Sequence, residues 1–221
     1  INITDDENDS LSDAAYRDLH LRIEGDAVRL LQVVFVEDWM YATKSRALLG
    51  ELRDLPASRP GPVSTQALPS GPDSSWESIH RAHVSAIHAA RERVWLMTPY
   101  FVPTEAALMS LTSAALGGLD VRVMLPMRSD SLLVTLAARS YFDDLLAAGV
   151  KVYEYGPRLL HTKALLVDDE FALIGSANFD NRSFRLNFEL SMLFHDAAIA
   201  AELAALFARP LGAQRPPGQW P

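Results

Sequence analysis

The sequence contains no cysteine, and this absence excludes several kinds of chemistry at once. Disulfide bonds, thiolate nucleophiles and cysteine-based zinc or iron–sulfur sites all require that residue. Long hydrophobic runs are missing as well. The longest uncharged apolar run, Ala106 to Leu119, contains Ser, Thr and a Gly pair, and it is shorter than the roughly 20 residues that cross a bilayer. We therefore expect no membrane-spanning helix within this sequence.

Positive charge is also scarce. The chain has 20 Lys and Arg against 28 Asp and Glu, which gives a formal net charge of -8 at pH 7 and an isoelectric point near 5.2. Such a surface is poorly suited to the phosphate backbone of DNA or RNA. We expect no nucleic-acid partner, and only a local basic groove would change that expectation.

We expect no export signal among the first residues of this sequence. Its first residue is Ile rather than Met, and no basic segment followed by an apolar one comes after it. We expect the chain to be part of a longer protein, with any membrane anchor upstream of Ile1. Its 221 residues, 49% hydrophobic and 22% charged, are typical of a globular protein that buries a core.

Hydrophobic periodicity predicts helices that alternate with strands, as in an α/β protein whose parallel or mixed sheet is covered by helices. Helices are expected over 26–42, 76–91, from 105, over 136–149 and over 197–208, the first and last capped by Asp26 and Asp196. Strands are expected over 18–25, 94–101, 120–126, 151–155, 163–169, 171–175 and 188–194. Residues 54–75 are rich in Pro, Gly and Ser, which predicts a linker or a long surface crossing.

Polar residues of a distinctive kind interrupt the apolar stretch "HTKALLVDDEFALIGSANFD", which begins at His161. Because side chains alternate along a strand, His161 and Lys163 are expected on one side, and the returning strand is expected to bring Ser176 and Asn178 to the same end of the sheet. An ammonium and two neutral donors suit the oxygens of a phosphodiester. An imidazole can attack phosphorus or protonate a leaving oxygen, and neither role requires a metal.

Two acidic residues complete the candidate site. Glu189 is expected to accept a hydrogen bond from the ring of His161 and fix its tautomer. Asp168, at the predicted hairpin, is expected to hold backbone amides of the turn. The structural alternative is that His161 only ends a strand, Lys163 extends to solvent and the Gly-Ser-x-Asn sequence is a simple turn.

The two ends of the chain share an order of features. "NITDDE…DLHLRIEGDAVRLLQVVF" and "NFDNRS…NFELSMLFHDAAIAAELAALF" both have an Asn with an acidic turn, an apolar strand, a capping Asp and an amphipathic helix. If these are repeats, Asn2 corresponds to Asn178 and His20 to Glu189, which makes Asn2 a candidate phosphate ligand and His20 a candidate neighbour of the site. The alternative is coincidence, because strand–cap–helix units are common.

Other polar and aromatic residues have weaker claims. His80 and His83 lie three residues apart on a predicted helix, but no third metal ligand is evident nearby, so solvated or capping roles are expected. Tyr100 and Phe101 are candidates either for a channel that holds an acyl chain or headgroup, or for the core.

The pattern His161-x-Lys163-(x)4-Asp168-(x)6-Gly175-Ser176-x-Asn178 resembles the HKD motif of the phospholipase D superfamily. Further stretches resemble its bacterial cardiolipin synthase branch and cover nearly the whole chain, among them "TPYFVPTEAAL", "LDVRVMLPMRSD", "LLAAGVKVYEY", "ANFDNRSFRLNFEL" and "PSGPD". The resemblance implies an α/β/α sandwich of two repeats with a mixed sheet. Each repeat would carry one HKD motif, and a single site would lie between them.

The resemblance also implies roles for residues. It gives catalytic roles to His161, Lys163, Asp168 and Glu189, and phosphate-binding roles to Lys163, Ser176, Asn178 and Asn2. One histidine of the pair would form a phosphohistidine and the other would act as general acid and then base. The family suggests proton transfer for the second motif, but the sequence leaves open which role His161 has.

The first His-Lys-Asp of the family pattern is missing, and Ile1-Asn2-Ile3 resembles its tail. The implied organisation is a remnant of the first repeat over 1–53, a linker over 54–75 and a second repeat over 76–221 with its HKD motif at 156–183. The isolated chain is expected to be weak or inactive unless the missing repeat in cis, or a second copy in trans, completes the site.

The leading hypothesis is a phosphatidyltransferase of cardiolipin synthase type. It would move a phosphatidyl group between phospholipids such as phosphatidylglycerol, without a cofactor, at the bacterial membrane. Two alternatives are a phospholipase D-like phosphodiesterase or nuclease that acts as a homodimer, and a non-catalytic remnant used for interaction.

Overall fold

The computed structural model describes residues 16–53 and 61–208. The helices are α1 (Ala27–Thr43), α2 (Ser78–Ala89), α3 (Glu105–Leu116), α4 (Leu132–Arg139), α5 (Phe142–Ala147), α6 (Asn181–Arg185) and α7 (Ala197–Ala208), with a 3₁₀ helix at Ala47–Arg53. The strands are β1 (Tyr16–Arg17), β2 (Ser64–Ser70), β3 (Arg93–Met97), β4 (Phe101–Val102), β5 (Asp120–Pro126), β6 (Lys151–Tyr155), β7 (Leu159–Leu160), β8 (Ala164–Val167), β9 (Phe171–Gly175), β10 (Phe179–Asp180) and β11 (Glu189–His195).

Seven strands form one mixed sheet in the order β2-β11-β9-β8-β3-β5-β6. Strands β3, β5 and β6 run parallel, whereas β8, β9, β11 and β2 pair antiparallel with their neighbours. The parallel pairs are joined through helices and the β8–β9 pair by a tight turn, as the two pairing types require. The predicted α/β class with a mixed sheet is confirmed.

Alternating side chains of the central strand separate two buried clusters. Val94 and Leu96 of β3 belong to one cluster, which includes side chains of α2, α3 and α5. Trp95 and Met97 belong to the other, which includes side chains of α7. Because both faces of this strand are covered by helices, its sequence is apolar from Val94 to Met97 rather than alternating. The layers are therefore helix, sheet and helix, as the resemblance implies.

Several predicted elements differ from the observed ones, and one of them is the strand expected over 94–101, which is interrupted between β3 and β4. The expected helix over 136–149 is broken into α4 and α5, because the Ser140 hydroxyl donates to the carbonyl of Ala137 at 2.7 Å and tightens the chain there. The strand expected over 18–25 is wrong, since those residues form no strand and the short β1 ends just before them. Leu19 and Ile23 of this segment instead pack against the second cluster.

Part of the segment expected to be a linker is a strand. Residues 64–70 form β2, which pairs with β11 along its whole length, so that Ser70 lies opposite Glu189. Pro69 is tolerated because β2 is an edge strand of the sheet. Residues 54–60 of the expected linker lie outside the described residues.

The two predicted caps also have different outcomes. Asp196 caps α7 by accepting a hydrogen bond from the amide of Ile199 at 2.9 Å. Asp26 precedes α1 but makes no side-chain capping bond. None of the helices in residues 16–53 and 61–208 is long and apolar enough to cross a membrane.

Candidate active site

The candidate histidine and lysine lie in the short connection between β7 and β8 rather than inside a strand. Thr162 between them is buried, whereas His161 and Lys163 are half-buried, so the predicted alternation of sides continues through the connection. The amide of His161 donates to the carbonyl of Arg17 at 2.8 Å, and the hydroxyl of Thr162 donates to the same oxygen at 3.2 Å. Arg17 ends β1, which pairs in parallel with β7. The early part of the chain is thus fixed beside the histidine.

Asp18 follows β1 and supplies the carboxylate that orients His161. Nδ1 of the imidazole donates to Oδ2 of Asp18 at 2.8 Å, and the ring of Tyr16 stacks on the imidazole with centroids 5.2 Å apart. Burial works against ionisation of Asp18, but the hydrogen bonds from His161 and the Leu19 amide, with the charge of Lys163, outweigh it and lower the pKa. An ionised Asp18 selects the Nδ1–H tautomer and leaves Nε2 as the nitrogen that can react.

The carboxylate on His161 is therefore Asp18 and not Glu189, which corrects the prediction from the sequence. Glu189 accepts hydrogen bonds from the hydroxyl of Ser176 and from Nδ2 of Asn187, the latter at 3.0 Å. The similarity between the two ends of the chain pointed to the segment that holds Asp18. It aligns "DLH" with "NFE", so that Asp18 takes the position that corresponds to Asn187. The carboxylate that orients His161 thus comes from a segment 143 positions earlier in the chain.

Lys163 lies within electrostatic reach of both acids. Its Nζ donates to the carbonyl of His161 at 2.6 Å. Burial lowers the pKa of Lys163 to about 8, and the charges of Asp18 and Glu189 oppose this shift. At neutral pH the side chain is an ammonium beside the imidazole, which is the arrangement that an anionic group would need.

The turn after β9 brings Ser176 to Lys163. The amide of Gly175 donates to the carbonyl of Lys163 at 3.2 Å. A Cβ on Gly175 would lie 2.4 Å from the carbonyl oxygen of Leu190 and 2.5 Å from Cα of Ser191. Any larger residue would therefore push β11 away. The glycine allows β11, which begins at Glu189, to lie against β9, which leads into Ser176.

Ser176 and Asn178 reach the same end of the sheet, as predicted, but they are held differently. Ser176 is exposed, and its hydroxyl donates to Glu189 and accepts from the amide of Leu190 at 3.0 Å. The backbone amide of Asn178 donates to Oγ of Ser183 at 3.1 Å, while its side-chain Oδ1 is buried without a partner among the described residues. Buried amides are normally satisfied, so this side chain has unused hydrogen-bonding capacity.

Strands β3 and β5 end at the same edge. Tyr100 follows β3, and its hydroxyl donates to both carboxylate oxygens of Asp130 at 2.7 and 2.8 Å. Burial, followed by this contact, raises the pKa of Tyr100 to about 12. Asp130 lies within electrostatic range of His161. Phe101 is fully buried and stacks on Phe179, which places it in the core. In open α/β sheets this carboxyl edge is where ligands bind.

Asp168 does not join these residues. It follows β8 at the end opposite to Lys163, and its carboxylate accepts from the amides of Arg91, Glu92 and Arg93, at 2.9 Å from Glu92 and 3.0 Å from Arg93. The prediction that it holds backbone amides is confirmed, although the amides belong to the segment that enters β3 rather than to its own turn. These contacts are structural, and the catalytic role that the resemblance implies for Asp168 stays a prediction.

The remaining candidates lie elsewhere. His80 is hydrogen-bonded to Glu77 at 2.7 Å and to Thr104 at 2.8 Å, and buried His83 bonds the carbonyl of Ile79 at 2.8 Å, so both have structural roles. Burial lowers the pKa of His83 to about 4. Within residues 16–53 and 61–208, there is no cluster of three or more His, Asp or Glu that could hold a metal ion. His20 is exposed. Asn2 lies outside the described residues.

Comparison with known proteins gives a consistent family. A family model described as "Cardiolipin synthase, PLD-like domain" matches residues 84–211. A cardiolipin synthase of Geobacillus thermodenitrificans is 46% identical over 181 residues, which is 81% of this chain and 36% of that protein. Cardiolipin synthase A of Pseudomonas syringae is 45% identical over 193 residues, which is 87% of this chain and 40% of that protein. The chain thus spans well under half the length of these relatives.

Solved structures agree on the fold. Nuc from Salmonella typhimurium, a phospholipase D family member, superposes with a TM-score of 0.55 at 21% identity, covering 66% of this chain and 91% of that one. Phosphatidylserine synthase of Haemophilus influenzae gives a TM-score of 0.51 at 17% identity, covering 73% and 44% of the two chains. At these identities the likeness concerns architecture alone.

Proposed function

The chain belongs to the family of cardiolipin synthase PLD-like domains, and we propose that it forms the C-terminal part of a phosphatidyltransferase that moves a phosphatidyl group from one phospholipid to another. The observation that carries this proposal is the pairing of His161 with Asp18 beside the Lys163 ammonium. An oriented imidazole and a cation at the carboxyl edge of the sheet are the groups that phosphodiester chemistry requires.

The proposed reaction has two steps. A histidine nitrogen attacks phosphorus and forms a P–N bond as the P–O bond to the leaving alcohol breaks, while a second, protonated histidine gives its proton to the leaving oxygen. The acceptor alcohol then loses its proton to that second histidine and attacks phosphorus as the P–N bond breaks. Family resemblance favours His161 for the proton transfers. Lys163, Ser176 and Asn178 would hold the non-bridging oxygens.

We assign residues 1–53 to the end of a first repeat, 54–75 to the connection and 76–221 to the second repeat, whose HKD motif is at 156–183. The two closing helices support this division. In α7, the residues four and seven positions after Asp196 are Ala200 and Leu203, and both are buried. In α1, the residues four and seven positions after Asp26 are Leu30 and Val33, and they are 47% and 39% exposed. Helix α1 thus has an apolar side that a sheet of the first repeat would cover. That repeat, in cis or from a second copy, would bring the other histidine.

The decisive experiment uses the longer protein that carries both motifs, in vesicles of phosphatidylglycerol. We expect cardiolipin and glycerol as products, and much weaker conversion by the 221-residue chain alone. Conversion to phosphatidic acid alone would mean that water is the acceptor and that the protein is a phosphodiesterase. Salt-sensitive cleavage of DNA by this chain would instead favour a nuclease that acts as a homodimer.

The pH dependence should report on Lys163. Burial favours the neutral amine, so this side chain is charged below about pH 8 and loses its proton as the pH rises through that value. Transfer should therefore fall above pH 8, by up to about tenfold per pH unit if this single deprotonation controls it. Lys163→Arg keeps its charge to higher pH. Its absolute rate of transfer should be lower, but the pH at which transfer begins to fall should rise by at least one unit. A fall at the same pH in both proteins would contradict the assignment.

Helix α4 supports a lipid substrate. Leu132, Leu133 and Leu136 are 75%, 78% and 55% exposed on this helix. The helix begins two residues after Asp130, which is within electrostatic range of His161. Exposed apolar side chains next to a site are unusual in a protein that works only in water. We propose that these leucines enter the interfacial region of the bacterial membrane when the site meets its substrate.

The double substitution Leu132→Ser, Leu133→Ser should weaken binding to phosphatidylglycerol vesicles by about tenfold or more, because each leucine loses apolar area that the bilayer would bury. Cosedimentation measures this, and hydrolysis of a soluble phosphodiester should not change. Leu116 is 73% exposed and lies near the start of β5, whereas α4 follows the end of β5. Leu116 is therefore at the opposite end of that strand from α4. Leu116→Ser is therefore the matched control. Equal loss of binding in both proteins would contradict a docking role for α4.

A further inference from the structure

A cavity of about 270 Å³ lies beside Glu189, outside the groups that the proposed mechanism uses. It is formed where α1 meets the end of β2 and the start of β11. Its lining includes Asp38, Ser70, Gly71, Asp73, Phe188 and Glu189. The cavity is connected to the phosphate site through Glu189, which accepts a hydrogen bond from Ser176 and acts electrostatically on Lys163.

Ser70 is the first indication that this cavity is a binding site. The residue is only 5% exposed, and its Oγ is buried without a hydrogen-bond partner among the described residues. A buried hydroxyl without a partner loses its bonds to water and gains nothing in return. Because Ser70 lines the cavity opposite Glu189 in the β2–β11 register, a polar ligand would satisfy it.

The charges around the cavity restrict the ligand. Four carboxylates line it, those of Glu37, Asp38, Asp73 and Glu189, and no Lys or Arg of the described residues does. Burial, and then the charge of Asp73, raises the pKa of Asp38, so a like charge faces it. A phosphate would be repelled. Among the described residues, no cluster of three or more His, Asp or Glu is arranged to hold a metal ion. Hydroxyl groups that donate hydrogen bonds to the carboxylates are the fitting ligands.

Gly71 gives the cavity its shape. A Cβ at this position would lie 2.6 Å from Oδ1 of Asp73 and 2.7 Å from the ring of Phe188. Both side chains therefore lie directly against the backbone of Gly71, which holds a carboxylate and an aromatic edge at fixed positions. Together with the hydroxyl of Ser70, they present hydrogen-bond acceptors above an apolar surface, as sites for polyols need.

We propose that this cavity binds the hydroxyl groups of a neutral polyol, namely the glycerol that leaves the donor phospholipid. The inference rests on the proposed transfer function and names its leaving-group subsite. Free glycerol offered as an acceptor occupies the same place, because its attack is the reverse of the first step. The alcohol oxygen that reacts then lies toward Ser176, and the other hydroxyls bind Asp38, Asp73 and Ser70.

The test compares acceptors. The two-motif protein is given a chromogenic phosphodiester, whose leaving group is not a polyol, with glycerol and methanol as competing acceptors. Asp38→Asn, Asp73→Asn and Ser70→Ala should each lower the ratio of glycerol to methanol products by about tenfold, while release of the chromophore stays near the original rate. Asp143→Asn removes an exposed carboxylate on α5 and should change nothing. Variants that keep the original ratio would overturn the proposal.

Binding is measured separately on the 221-residue chain. Glycerol should shift the backbone amide resonances of Ser70 and Gly71 in a saturable way, and Asp73→Asn should abolish this. Stronger perturbation of these amides by ethanolamine than by glycerol would overturn the proposal in favour of an ammonium headgroup, and no saturable shift would overturn it outright. Failure of the two-motif protein to form cardiolipin, with the glycerol shift intact, would overturn the transfer function but leave the polyol site standing.

Discussion

Replacing His161 with alanine should lower the rate of phosphatidyl transfer by about 1,000-fold or more, because the variant loses the group that moves the proton or attacks phosphorus. The fold should survive, since the imidazole is half-buried and its backbone amide bond to Arg17 does not depend on the side chain. Cardiolipin formed per minute by the two-motif protein measures the effect. Thermal unfolding of the same sample checks that the variant is folded.

Two further variants make this result specific. His88→Ala removes an exposed histidine from α2 and should leave the rate unchanged. Asp18→Asn keeps the shape but not the charge beside Nδ1 of His161, so its rate should lie between those of the original protein and His161→Ala. An undiminished rate in His161→Ala would support the non-catalytic alternative, in which this domain serves only for interaction.

Local periodicity was sufficient for much of the fold. The predicted bounds equal the observed ones for the strands over 120–126 and 151–155 and for the helix over 197–208. Each of these is a regular apolar element between clear breaks. The β8–β9 hairpin was predicted for the same reason. Periodicity failed where composition and tertiary contacts disagree, as in β2, whose Pro and Ser suggest a loop although pairing with β11 makes it an edge strand.

The site was predictable as far as the local motif extends. His161, Lys163, Ser176 and Asn178 come from one stretch of chain, and its alternation already brings them to one edge of the sheet. Asp18 does not, because its bond to His161 joins residues 143 positions apart. Only the similarity between the two ends of the chain pointed to that segment. Spacing along the chain favours the acid nearer in sequence, Glu189, because nothing local shows that Asp18 folds back onto His161.

Asp168→Ala should lower the free energy of unfolding by about 2 to 4 kcal/mol. The carboxylate accepts from three backbone amides of the segment that enters β3, and hydrogen bonds to a charged group are each worth about 1.5 to 3 kcal/mol, less where water can replace them. Alanine is also disfavoured at the positive φ of 52° that Asp168 adopts. Urea denaturation of the 221-residue chain measures the loss.

The neighbouring acid provides the matched control. Asp169 pairs with Arg93 but is 74% exposed, so Asp169→Ala should cost about 0.5 kcal/mol at most. The loss of free energy of unfolding in Asp168→Asn should lie between the losses in the two alanine variants, because asparagine tolerates the left-handed backbone and keeps one acceptor. Because Asp168 lies at the end of β8 away from His161, the folded fraction of each variant should transfer at the original rate. An inactive but fully stable Asp168→Ala protein would instead return this residue to the catalytic group that the family motif implies.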